Sequence, residues 1–488
     1  MALALIVAAP WHQASAQDHS ILTYHGNPER SGHYVLPALT WARAATLRED
    51  PTFDGRVSGH VYAQPLYWDP PGADSGMLLV ATENDVVSAL DAKTGKPIWT
   101  QTVGTPVSGS SLQCGNIDPL GITGTPVIDP RTQAIYFDAM VQGNGGPSHQ
   151  VFALSLKDGS VLPGWPIDVA AALRRANHIF NPKVQNQRGA LTILGDMLYV
   201  AYGGLYGDCG FYHGWVVGIP LNSSHDYVYV FETRARGGGI WGQGGVGIAG
   251  NELYFATGNT FGASTWSDGE AVFRLAPSLV RERGQFQYFT PSTWKALDDE
   301  DLDLGGSNAI PVDVPTADGT QALMLALGKD GNAYLLDRNN LGGIGGQLAV
   351  AAVSSASILT SPAVYPAFGG TYVAFRGPGT HCPGGNAGKD LIVLMIRSGS
   401  PPSMSTAWCG ALSGAGSAIV TTTDGHSNPI VWILGAEGDN KLHAFRGESG
   451  EPFITSRPLQ GLRHFQTLIA TEDHLYVGAD GRVYAFSF

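Results

Sequence analysis

The chain has 488 residues, and 43% of them are hydrophobic, enough for a large core. Only 14% are charged, while glycine (65) and proline (30) together approach a fifth of the chain, a balance that suits short strands and tight turns and argues against long surface helices. The formal net charge of −13 argues against nucleic acid or an anionic membrane surface as partner, because both call for a basic face.

The chain opens with MALALIVAAPWHQASA, an apolar run ending in Ala14-Ser15-Ala16, a small-x-small cleavage signature. Residues 1–16 are therefore expected to be a secretory signal peptide and residues 17–488 a single exported domain, periplasmic or secreted. No later stretch approaches the roughly 20 apolar residues of a membrane-spanning helix. Cys114, Cys209, Cys382 and Cys409 are an even number of cysteines, which suits disulfides in an exported chain. Three pairings are possible, and Cys114–Cys209 with Cys382–Cys409 is the expected one.

A repeat organises the rest of the chain. MLLVATENDVVSALDAKTGKPIWTQTV is its clearest copy, at residues 77–103. Further copies begin at AIYFDAMV, MLYVAYGG, ELYFATGN, ALMLALGKDGNAYLLDR, LIVLMIR, VWILGAEGDNKLHAF and HLYVGADGRVYAFSF, which makes eight. Each alternates apolar and polar residues and turns at Asp/Asn-Gly or Thr-Gly, the pattern of antiparallel strands. A four-stranded unit of this kind buries both faces only against copies of itself, so the expected fold is all-β, an eight-bladed propeller. The last copy stops at Phe488 without its outermost strand, and Thr40–Leu47 is expected to supply it and close the ring. Helix is expected only over Val169–Ala176 and Pro291–Asp301.

The hairpin ALDAKTGKPIW of residues 89–99 resembles the repeat of the quinoprotein alcohol dehydrogenase superfamily, and this resemblance covers essentially the whole mature chain as architecture. HGNPERSGHY, GHVYAQPLY, YHGWVVG, YFATGN, GKDGNAYLLDR and VTTTDG are similar to compact bacterial propellers with pyrroloquinoline quinone (PQQ)-binding-like repeats. The resemblance implies a site. In GGGIW, Trp241 takes the place of the tryptophan on which the quinone stacks, and in Thr257-Gly258-Asn259 the amide takes that of a calcium ligand. Asp303 falls on the catalytic base and Lys329, in GKDGNAYLLDR, on the lysine that contacts the quinone. The implied cofactors are PQQ and Ca²⁺, with an alcohol or sugar hydroxyl as substrate and an external electron acceptor. The chemistry is consistent: a cation polarises quinone oxygens, a carboxylate takes the hydroxyl proton, and oxygen donors suit Ca²⁺.

The chain also departs from that pattern. The glutamate of the second calcium ligand is missing from YGGLYGDCGFYHGW, leaving Asp208 to substitute, and no adjacent cysteine pair roofs the site. Polar residues at strand starts and in inserted loops, among them His60, Tyr62, Gln64, Arg188, His213 and His464, are expected to face the central channel, with Arg188 contributing to the cofactor site. Two other readings stay open beside the dehydrogenase: a non-catalytic scaffold that binds protein or glycan, and a cofactor-free lyase-type enzyme using the channel His, Tyr and Arg.

Overall fold

The structure, a computed structural model, describes residues 19–70, 72–222, 227–282 and 287–488, so the signal peptide expected at residues 1–16 lies outside the described residues. Eight four-stranded antiparallel sheets follow one another around a central channel. Their innermost strands are Leu66–Trp68, Val127–Asp129, Thr192–Leu194, Gly247–Ala249, Ile310–Thr316, Ala363–Ala367, Ile419–Thr422 and Leu468–Ala470, for blades 1 to 8 in turn. Blade 5 shows the unit: Ile310–Thr316, Gly319–Leu327, Asn332–Asp337 and Ala349–Ala352 each pair antiparallel with the strand before.

Strands in the middle of a blade are buried on both faces, so they read as continuous apolar runs. In blade 7, Ile430–Leu434 (IVWIL) is buried throughout. Facing blades share one core, as where Ile310, Val312 and Leu325 of blade 5 meet Val373, Phe375 and Ile392 of blade 6. Tryptophans at outer strands fasten neighbours together. Trp99 Nε1–H donates to the Leu156 carbonyl of the next blade at 2.9 Å, and Trp408 Nε1–H to that of Gly447 at 2.7 Å. Each indole lies flat on a turn glycine of the following blade. A Cβ on Gly159 would stand 2.5 Å from the Trp99 ring, and one on Gly450 2.5 Å from that of Trp408. The Thr-Gly and Asp-Gly turns of the repeat thus serve the neighbouring blade as well as their own.

The ring closes through the N-terminal segment, slightly downstream of the expected place. Arg48–Glu49 and Gly55–Arg56 pair antiparallel with Arg482–Ser487 and complete blade 8. Thr40–Leu47 is not a strand: Thr40 caps a short helix, Trp41–Ala44, its side chain accepting the Arg43 N–H. A threonine before Trp-Ala-Arg-Ala is a helix start, and that local preference displaces the strand. The sixth repeat copy, LIVLMIR, is the third strand of its blade, Leu391–Arg397, rather than the second. The other short helices are Val169–Arg175 and Trp294–Glu300, inside or within a residue of the expected ranges.

A second role of the N-terminal segment has no counterpart in the repeat. Residues 21–35 cross the channel and bond to one inner strand after another. Ile21 pairs with Tyr67, the Leu22 carbonyl accepts from Ile128, that of Pro28 from Ile248, that of Ser31 from Val364 and that of Gly32 from Val420. His33–Val35 then lies parallel to the inner strand of blade 7. Arg30, 0% exposed, reaches from this plug to the carbonyls of Leu191 and Val246 at 2.9 and 3.1 Å. Both disulfides pair as expected, Cys114–Cys209 and Cys382–Cys409. Among the described residues no helix is long and apolar enough to cross a membrane.

Gly159→Ala tests the indole-on-glycine contact. Its φ of +72° and the rigid Trp99 ring leave a methyl nowhere to go. The expected loss is about 2 kcal/mol of unfolding free energy by urea titration. Gly250→Ala is the control: its methyl meets no neighbour and its φ is also positive, so only the backbone strain of about 1 kcal/mol should appear.

Candidate functional site

In an antiparallel blade the start of the inner strand and the end of the second strand lie at one mouth of the channel. Trp241 precedes the inner strand of blade 4, Gly258 and Asn259 follow its second strand, Glu252–Thr257, and Lys329 follows the second strand of blade 5. Asp303 lies on the connection between those blades. The four residues are far apart in sequence yet meet there.

Their contacts are specific. The Asn259 backbone N–H donates to Asp303 Oδ1 at 2.6 Å, and Lys329 Nζ lies 2.5 Å from Asp303 Oδ2. The same ammonium is 3.0 Å from Asp301 Oδ1 and stands over the Trp241 ring, 5.4 Å from its centroid. Trp241 is half-buried. Glycines frame it: a Cβ on Gly258 would come within 3.3 Å of Trp241 Nε1 and 2.5 Å of Asp303 Oδ1, and one on Gly306 within 3.3 Å of the far edge of the indole. The glycines that surround this tryptophan in the sequence therefore keep the ring edges and the carboxylate clear of side chains.

Burial raises the pKa of the Asp303 carboxyl, while the Lys329 ammonium and the Asn259 N–H pull it back. Burial alone would lower the pKa of Lys329; the Asp303 carboxylate outweighs it and the net shift is upward, so the lysine stays charged.

A residue that sequence reasoning missed stands directly behind this pair. Glu270 is 0% exposed, and its Oε2 accepts the Leu304 N–H at 2.5 Å while its own N–H donates to the Gly258 carbonyl at 3.0 Å. It thus ties together the two loops that carry Asn259 and Asp303. Its backbone has φ +52°, a conformation that favours glycine, and its Oε1 has no hydrogen-bond partner. Burial first, and then the Asp303 charge, push its pKa well above the carboxylate range. The visible signal was a glutamate where the corresponding turns of blades 5 and 8 carry Gly331 and Gly481.

The remaining expected residues lie elsewhere. Asp208 Oδ1 accepts the Tyr212 hydroxyl at 2.5 Å, and the Tyr212 phenol in turn feels the charges of Asp208 and Asp303. Arg188 lines a cavity of the central channel with Tyr62, Gln64 and His464. Trp241 offers an indole face with the Lys329 ammonium over it and edges left clear by Gly258 and Gly306, a set of features that suits a flat ring with oxygen substituents. Among the described residues no group of three or more His, Cys, Asp or Glu side chains is arranged to hold a metal ion. A calcium ion on Asn259 and Asp303 would require Asp303 to leave Lys329, and Asp208 is engaged by Tyr212.

Comparisons with known proteins place the fold. Residues 41–162 match a PQQ-type repeat model described as outer membrane protein assembly factor BamB. No curated protein matches the chain. Among solved structures, the quinohemoprotein alcohol dehydrogenase of Comamonas testosteroni aligns with a TM-score of 0.66 at 14% identity, over 96% of this chain and 80% of that one. A europium-containing methanol dehydrogenase aligns with a TM-score of 0.65 at 13% identity, over 97% and 99%. At these identities the likeness is one of fold.

Glu270→Gln isolates the buried acid. A carboxyl whose folded pKa is raised binds more protons folded than unfolded, so its contribution to stability is greatest below its ordinary value of 4.5 and declines as pH rises above it. Urea midpoints at pH 5 and pH 8 should therefore show the wild type losing stability relative to the glutamine variant at the higher pH. Equal slopes for both proteins would mean that Glu270 is not the titrating group.

Proposed function

Starting from an eight-bladed PQQ-type propeller, we propose a quinoprotein-like oxidoreductase that removes hydride from an alcohol or sugar hydroxyl at the Trp241–Asp303–Lys329 site. The observation that carries this reading is the Lys329 ammonium, which touches Asp303 while standing over the Trp241 ring. Bound PQQ would supply the hydride acceptor. Trp241 offers its face to a flat ring and excludes water from that side. Lys329 neutralises negative charge that builds on a neighbouring oxygen. Asp303 takes the hydroxyl proton, and its raised pKa brings its proton affinity nearer to that of the group it deprotonates. The Asn259 N–H holds one oxygen of Asp303 in place.

A calcium ion would find the Asn259 side-chain oxygen, but Asp303 is paired with Lys329 and Asp208 is held by Tyr212. Electrons would pass to an external acceptor, and a periplasmic or secreted location is supported by the two disulfides. A second reading, a non-catalytic scaffold, is favoured by the match of residues 41–162 to an assembly-factor model.

One titration separates the two. Added PQQ should quench the tryptophan fluorescence saturably, with the effect lost in Trp241→Ala. In Asp303→Asn the quench should persist within a few-fold while dye-linked alcohol oxidation falls by about 10² or more. Absence of saturable quenching, with and without Ca²⁺, leaves the scaffold reading.

A further inference from the structure

The gap between blades 4 and 5 already contains a cation of its own. An ammonium carries three N–H donors and accepts nothing. Three oxygens face that of Lys329: Asp303 Oδ2 at 2.5 Å, Asp301 Oδ1 at 3.0 Å and the Asp301 carbonyl at 3.3 Å. Asp301 ends the helix Trp294–Glu300 in a left-handed conformation, φ +54°, and at that turn both its side chain and its carbonyl reach the lysine. The Lys329 backbone N–H also donates to the Asp303 carbonyl at 3.0 Å, so the lysine is fixed at both ends.

A divalent ion would have to share those oxygens. Calcium takes about six to eight oxygen donors. The carboxylates around the site are each committed to a donor of the protein. Asp303 Oδ1 accepts the Asn259 N–H at 2.6 Å, and Asp298 accepts the N–H and the hydroxyl of Thr260, each at 2.7 Å. Glu270 Oε2 accepts the Leu304 N–H, and Asp208 Oδ1 the Tyr212 hydroxyl. Glu270 Oε1 is left without a partner, which is a single donor. A divalent ion touching Asp303 would also stand against the Lys329 ammonium, whose side chain is only 16% exposed. Two cations at contact distance repel strongly where water is scarce.

We propose that Lys329 is the resident cation of this site, its ammonium taking the place that a divalent metal would hold. The expected calcium ligands then have other duties: the Asn259 N–H orients Asp303, and Asp208 holds the Tyr212 hydroxyl. A flat oxygen-bearing ligand on Trp241 meets an N–H donor of single charge. The longest of the three lysine contacts, to the Asp301 carbonyl, is the one that a ligand oxygen displaces. What that ligand is rests on the oxidoreductase reading; which group supplies the positive charge does not.

Terbium(III) is the probe, an oxygen-seeking ion whose emission is excited through a nearby tryptophan. In the wild type, Trp241→Phe should leave terbium emission unchanged, because no ion sits beside that ring. Lys329→Met keeps the length of the side chain and removes the charge. It should gain about tenfold or more in terbium affinity, with new emission that Trp241→Phe abolishes and calcium displaces. No gain in Lys329→Met means that the ammonium is not what keeps a metal out, and overturns the proposal. Wild-type crystals soaked in terbium chloride test it without any variant: an anomalous peak within bonding distance of Asn259 and Asp303 overturns it as well. The quenching of Trp241 by PQQ separates this inference from the oxidoreductase reading. Equal quenching in calcium and in EDTA upholds Lys329 as the cation, and quenching that needs calcium overturns it. No quenching in either removes the oxidoreductase reading, and the terbium result still decides which cation the site holds.

Discussion

A sheet with apolar side chains on both faces has nowhere to stand except between two others, and every blade of this protein is such a sheet. The interface between blades is therefore the interaction on which the structure rests. Strands such as Ile430–Leu434 have no polar face at all. The constraint propagates around the circle, because a row of such sheets is satisfied only when the last meets the first. That final meeting depends on two short stretches, Arg48–Glu49 and Gly55–Arg56, holding Arg482–Ser487 from the opposite end of the chain. The core beneath this seam draws on Leu78 and Leu90 of blade 1, Trp432 of blade 7 and Tyr476 of blade 8.

Against that apolar ring the candidate site is an electrostatic exception. Asp303, Glu270 and Lys329 occupy one gap between blades 4 and 5, and burial there acts on all three at once. Burial first, and the Asp303 charge second, push the Glu270 carboxyl upward. The Lys329 ammonium, which also meets Asp301, forms with Asp303 a buried ion pair over the indole. Such a pair is costly to expose and costly to break, because either partner alone would be an uncompensated buried charge. The Asn259 backbone N–H holds its Asp303 carboxylate, while the Leu304 N–H holds Glu270 behind it.

Much of this was legible in the chain. Hairpins recurring with Thr-Gly or Asp-Gly turns gave the number of blades, because strand periodicity and turn chemistry are local properties. The convergence of Trp241, Asn259, Asp303 and Lys329 followed from motif order once the blades were in place. What stayed hidden depends on non-local geometry. Glu270 looked like an ordinary turn residue, and only its burial and positive φ set it apart. The closing strand was placed a few residues early because the helix-starting sequence at Thr40 reads weakly beside the demand for an eighth outer strand. The plug left no periodic signal, since residues 21–35 bond to many partners once each instead of to one partner repeatedly.

That plug has a consequence in time rather than in space. Residues 21–35 leave the ribosome before any blade exists, yet their hydrogen-bond partners are spread from Tyr67 to Val420. The segment made first is thus seated among the last, and Arg30 travels as a hydrated surface cation until the walls that will enclose it have formed. Seating then records completion, since the carbonyls of Leu191 and Val246 come within its reach only when blades 3 and 4 stand side by side.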